Sequence, residues 1–154
     1  MIKFTNGRLF STARSVVIVG AKRTPVGGFM GALKAIPAPQ LGAIAVRGAI
    51  EQAGIQPEDV EEGIMGCVLQ ASLGQAPDRQ AILGAGCSVS TPTTAINKVC
   101  ASGMKALMVG ASQIRAGDRN IVVAGGMENM SRAPHYTYLR EPTGYGHATM
   151  PDAT

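Results

Sequence analysis

The sequence predicts an α/β fold: a mostly parallel sheet with helices on both of its faces. Short β-branched or apolar runs alternate with helix-length stretches along residues 15–125. The connections between them are short, and alternation of this kind is met by parallel strands joined through crossover helices. The 20 glycines and only 4% aromatic residues describe elements whose backbones approach closely.

Each element has its own signature. Ser15–Gly20 (SVVIVG) is a continuous β-branched run ended by glycine, the pattern of a fully buried strand. Ala21–Ala38 holds Thr24-Pro25, Gly27-Gly28, Gly31 and Pro37 with little period, and reads as a loop. A helix is expected from Pro39, with Leu41, Ile44, Ala45, Ala49, Ile50 and Ala53 on one face and Gly54 just past its end. Pro57–Val60 makes a short turn, and Gly63–Leu69 (GIMGCVL) a second buried strand. Pro77 suits the first position of the next helix, with Asp78 where the helix dipole favours an acid and Gly86 to close it. Thr91–Asn97 (TPTTAIN) is a third strand with Pro92 confined to its start. Residues 101–116 form a long helix stopped by Gly117-Asp118, and Asn120–Gly125 (NIVVAG) a fourth strand. The long helix carries small residues (Gly103, Ala106, Gly110, Ala111) opposite Met104, Leu107, Met108 and Ile114. That composition predicts burial on every side, with another helix against the glycines. After Gly126 no element longer than a turn is evident, and residues 127–154 hold all three tyrosines and both histidines. This stretch reads as the opening of a further domain.

Composition excludes several classes. At 154 residues, 45% apolar and 16% charged, the chain is long enough for a core and too apolar to be disordered throughout. No apolar run approaches the ~20 residues of a bilayer-spanning helix. Three cysteines without a CxxC pair suit neither a disulfide framework nor a zinc site, so no metal is expected. Residues 1–50 carry seven basic residues and no acid, whereas residues 51–154 carry seven basic and ten acidic. The excess positive charge therefore belongs to the front and is not a nucleic-acid footprint, which needs clustered cations with stacking aromatics. Residues 1–14 (MIKFTNGRLFSTAR) mix Lys3, Arg8 and Arg14 with hydroxyl and apolar residues. That is the composition of a mitochondrial targeting leader, and Arg8-Leu9-Phe10-Ser11 resembles a processing site with cleavage after Phe10.

One residue stands out chemically. Cys100, in Asn97-Lys98-Val99-Cys100-Ala101-Ser102-Gly103-Met104, falls where the third strand gives way to the long helix. Free backbone N–H groups and the positive end of the dipole there favour a thiolate, and the small residues after it leave room for a substrate carbonyl. The plainer alternative is a small buried hydrophobe, which most free cysteines are. Cys67, mid-strand, reads as core; Cys87 as incidental; His135 and His147 as surface groups in the tail. Neither a phosphate-binding G-x-x-x-x-G-K loop nor a strand-linked G-x-G-x-x-G is present.

Four stretches, Val17–Gly27 (VIVGAKRTPVG), Gly74–Gln80 (GQAPDRQ), Asn97–Met104 (NKVCASGM) and Ala124–Ser131 (AGGMENMS), together resemble the N-terminal half of the thiolase family, most of all its short-chain mitochondrial members. The likeness covers about residues 15–150. It implies the N-terminal half of a thiolase fold, incomplete without its C-terminal half: leader 1–14, core 15–126, and the start of a loop domain at 127–154. It implies that Cys100 is the acylated nucleophile, its backbone N–H holding the oxyanion, with Asn97, Ser102, Gly103, Met104 and Glu128 supporting. Coenzyme A thioesters, acetyl-CoA and acetoacetyl-CoA, are then substrates, and no cofactor is called for. A homodimer or tetramer in the mitochondrial matrix is implied too, with the strand before the cysteine pairing across the dimer near Arg79 and Gln80. The family's histidine base, its second cysteine and the last strand of this half have no counterpart among these 154 residues. Two other readings remain: a non-catalytic thiolase half serving as a structural subunit, and a 3-ketoacyl-CoA thiolase of broader chain length.

Overall fold

The computed structural model describes residues 14–138 and 145–154. The leader therefore lies, but for Arg14, outside the described residues. Three helices and three strands follow in the order α1 (Ala38–Ala53), β1 (Glu62–Gly66), α2 (Pro77–Gly84), β2 (Thr93–Ile96), α3 (Ser102–Ala116) and β3 (Val122–Gly126). Single 3₁₀ turns occupy Pro57–Asp59 and Met130–Arg132. The sheet runs β2-β1-β3 and both pairings are parallel, with Ile64 level with Thr94 on one side and Ala124 on the other.

β1 is central, and all five of its residues are buried. Its two faces part by the period-two rule of strands. Gly63 lies under Ile82 of α2, whereas Gly66 lies under Ser102 and Gly103 of α3. Three positions apart on a strand means opposite faces, so α2 and α3 cover the sheet from opposite sides. The main core gathers Met65, Cys67, Ala81, Ile82, Val46, Ile50, Val60 and Met127 on the α2 side, where α1 packs over α2.

α1 begins after Pro37 and ends at Gly54, whose φ of 69° is the left-handed cap that glycine adopts freely. Its buried stripe is not the one expected. Gly42, Ala43, Val46 and Ile50 face inward, while Ile44 is 53% exposed. Close packing decides this. A methyl added at Gly42 would meet Met127 Sδ and the Ala81 Cβ, so the smallest residue takes the tightest crossing.

The expected strand at Ser15–Gly20 is not one. The segment belongs to no strand, and Val17, Ile18 and Val19 are 72%, 79% and 63% exposed. It lies along α1, where Gly20 meets the Ala49 carbonyl and the Ala21 N–H donates to Gln52 Oε1 at 3.1 Å. Between it and β3 opens an apolar slot of about 790 Å³, walled by Ala49 and Ala53, by α3 around Gln113, and by Ile121–Ala124. Among the described residues β3 is paired on one side only, and Gln113 Oε1 is buried there without a hydrogen-bond partner. The β-branched pattern was that of a buried strand, but no described residue supplies its neighbour.

α3 departs from expectation as well. Its small residues pack on the sheet and not on a helix: Gly103 against Gly125 and Gly126, Gly110 against Val122 and Ala124. Its outer side, with Met104, Leu107 and Met108, is open. The tail is short of regular structure, as expected. Its neck is closed by Tyr136 N–H to the Pro151 carbonyl (2.9 Å) and Ala153 N–H to the Pro134 carbonyl (3.0 Å). His135 and Asp152 face each other there at 3.9 Å, both well exposed.

Candidate active site

Cys100 stands in the turn between β2 and α3. It is exposed, while Cys67 and Cys87 are buried. The residue before it is bent sharply: Val99 has φ 49°. A β-branched side chain in that region is strained by about 1–3 kcal/mol and persists only where its surroundings enforce it. The enforcing contacts are local. Asn97 Oδ1 accepts the Val99 N–H at 3.0 Å. The Ser102 hydroxyl donates to the Val99 carbonyl at 2.6 Å and accepts the Lys98 N–H at 2.8 Å. The Ser102 N–H also reaches the Val99 carbonyl, at 3.1 Å. The Cys100 N–H meets no acceptor in hydrogen-bonding geometry among the described residues.

The floor of this turn is built from glycines. Gly66 at the end of β1 and Gly126 at the end of β3 both approach the Ser102–Gly103 backbone. Parallel strands thus end together beneath the first turn of α3, so the strand ends and the helix start converge on Cys100.

Of the residues singled out from sequence, Asn97, Cys100 and Ser102 come together in one turn, with Gly103 beneath. Met104 points outward and is 68% exposed. Glu128 binds the loop leaving β1, where its carboxylate accepts the Val68 N–H at 2.8 Å and the Leu69 N–H at 3.1 Å. It also approaches the Cys67 thiol at 3.8 Å. Arg79 and Gln80 brace loops. Arg79 donates to the Val89 and Thr91 carbonyls ahead of β2, and Gln80 to those of Leu73 and Gln75. Sequence reasoning missed the strain at Val99, because nothing in a one-dimensional pattern marks a valine held at positive φ. Among the described residues no group of three or more His, Cys, Asp and Glu is placed to hold a metal ion.

The Thiolase, N-terminal domain family matches residues 16–154. The chain belongs to the thiolase family. It is 55% identical over 141 residues to a protein named acetyl-CoA acetyltransferase, mitochondrial, of Homo sapiens, covering 92% of this chain and 33% of that protein. To the Danio rerio protein of the same name it is 54% identical over 148 residues, covering 94% and 35%. The thiolase chain thus spans about a third of the length of these relatives. The three-stranded parallel sheet with α2 and α3 on its two faces fits the N-terminal α/β domain of that family.

Both buried thiols of this thiolase chain hold their protons more tightly than a free thiol. Burial, and then the negative charge of Glu128, push the Cys67 thiol up from 9.0 to about 12. Burial also raises Cys87. The folded Cys67 holds its proton to higher pH than the unfolded one, so its contribution to stability is complete below pH 9 and lost as pH rises through 12. Urea unfolding followed from pH 8 to 12 is expected to show wild type losing stability more steeply above pH 9 than Cys67→Ala. Parallel curves would contradict the assignment.

Proposed function

We propose that this chain is the acylating part of a mitochondrial acetyl-CoA acetyltransferase, with Cys100 as its nucleophile. The observation that carries the reading is the exposed Cys100 thiol at the α3 N-terminus, within a segment that matches the thiolase family. The sulfur attacks the carbonyl of an acyl-CoA thioester. A new carbon–sulfur bond forms at Cys100, the bond to CoA breaks, and the CoA thiol leaves with a proton. Acyl transfer between two sulfurs is close to isoenergetic, which suits a cysteine for a reaction run in either direction. The tetrahedral oxyanion is met by the Cys100 N–H and the helix start.

A second acetyl-CoA then loses a proton from its methyl group, and the carbanion attacks the acyl-enzyme to give acetoacetyl-CoA. Neither histidine is placed as the base for that step: His135 lies 3.9 Å from Asp152 on the exposed tail, and His147 lies in the same irregular stretch. CoA thioesters are substrates, and the chemistry at Cys100 calls for no cofactor. The free edge of β2 is the surface for pairing with a second copy, with Arg79 shaping the loop that leads into it. The open slot beside β3 is where the sheet of this half is completed. Residues 1–14 act as the leader that directs the chain to the mitochondrial matrix, and residues 127–154 begin the loop domain. The names of the relatives support the mitochondrial setting.

Iodoacetamide labelling with peptide mapping tests the site. Cys100 is expected to be alkylated first, with Cys67 and Cys87 protected until the chain unfolds. Equal labelling of the three would remove Cys100 from the role.

A further inference from the structure

We infer that Ser102 is a positioning residue that aims the Cys100 N–H at the oxyanion, by holding the opposite end of the same peptide group. This rests on the reading of Cys100 as the acylated nucleophile. The Val99 carbonyl and the Cys100 N–H belong to one planar trans peptide, so they point in opposite directions. The carbonyl is held by two donors from Ser102, the hydroxyl at 2.6 Å and the backbone N–H at 3.1 Å. Fixing that oxygen toward Ser102 leaves the Cys100 N–H directed away from Ser102, and Cys100 is itself exposed. The same hydroxyl accepts the Lys98 N–H, so one side chain holds both the Val99–Cys100 peptide and the Asn97–Lys98 peptide of the turn. Ser102 is itself 5% exposed, and its backbone lies against Gly66, so the pin is anchored on the central strand. Asn97 adds a third restraint through the Val99 N–H.

Ser102 is therefore a residue whose loss misaims a hydrogen-bond donor without removing it. Acyl transfer and alkylation separate this from a merely structural role. Displacement of iodide from iodoacetamide needs only an accessible sulfur. Attack on a thioester builds an oxyanion that must meet the donor. The probe is S-acetyl-N-acetylcysteamine, which transfers its acetyl group to Cys100 and leaves as the free thiol; mass spectrometry of the intact chain reads the product.

Ser102→Ala is expected to slow acetylation of Cys100 by at least about tenfold, the scale on which misplaced oxyanion donors are felt, while its alkylation stays near wild type. In Val99→Gly/Ser102→Ala, glycine adopts positive φ without strain, and a large part of the acetylation rate is expected to return. Unchanged acetylation in Ser102→Ala, or an equal fall in both reactions, would overturn the inference. Should Ser102→Ala fail to fold, Asn97→Ala at an exposed position carries the same comparison: a selective loss of acetylation supports the restraint, and an unaltered ratio of the two rates refutes it. Wild-type Cys100 that acetylates no faster than the same cysteine in unfolded chain would instead sink the reading of the site, a result distinguishable from the others.

Discussion

Cys100→Ala is expected to abolish acyl transfer when the chain is joined in frame to the part of the human acetyl-CoA acetyltransferase that lies beyond the matched region. The wild-type chimera should cleave acetoacetyl-CoA in the presence of CoA, followed by loss of absorbance of the enolate. Removing the sulfur removes the covalent intermediate itself, so the rate should fall by on the order of 10³-fold or more. Cys87→Ala, a change to a buried thiol away from α3, should leave the chimera active. The acyl-enzyme supplies an independent readout: brief exposure to acetyl-CoA should add one acetyl group to the wild-type chimera and none to Cys100→Ala. Turnover in Cys100→Ala close to wild type would show that another group accepts the acyl chain.

Gly66→Ala should be the most damaging single methyl in the described core. The added carbon would fall 2.5 Å from the Ser102 carbonyl carbon and 2.6 Å from the Gly103 nitrogen. Both are backbone atoms at the start of a helix, so no side chain can swing aside to make room. The helix must lift off the sheet or β1 must sink, and a loss of about 3 kcal/mol or more in urea unfolding is expected. Gly28→Ala, where nothing lies within 4 Å, is the control and should change stability by no more than about 0.5 kcal/mol. Equal losses at the two positions would mean that the contact beneath α3 is looser than described.

Elements with a strong local grammar were legible. Pro77 opening α2, Gly54 closing α1 and Gly117 closing α3 each carry a residue whose backbone chemistry marks a boundary, and all three stand where expected. The burial of Cys67 followed from its neighbours in the run Gly63–Leu69. What failed depends on partners distant in sequence. Ser15–Gly20 has the composition of a strand, but a strand exists only where another chain segment accepts its hydrogen bonds. The stripe on α1 was misjudged because Gly42 looks inert in a sequence, yet it marks the point of closest approach to α2 and Met127. For the candidate site, the motif located Cys100 and its immediate followers. It said nothing of the peptide geometry at Val99, nor that the Glu128 carboxylate binds the loop after β1.

The unprotected rim of β3 has a bearing on handling this chain. A strand edge that no other described strand pairs, beside a greasy trench, is a template onto which another molecule's extended segment can zip. Colloidal lifetime in a concentrated preparation should therefore be governed by crowding among copies before heat has loosened any helix.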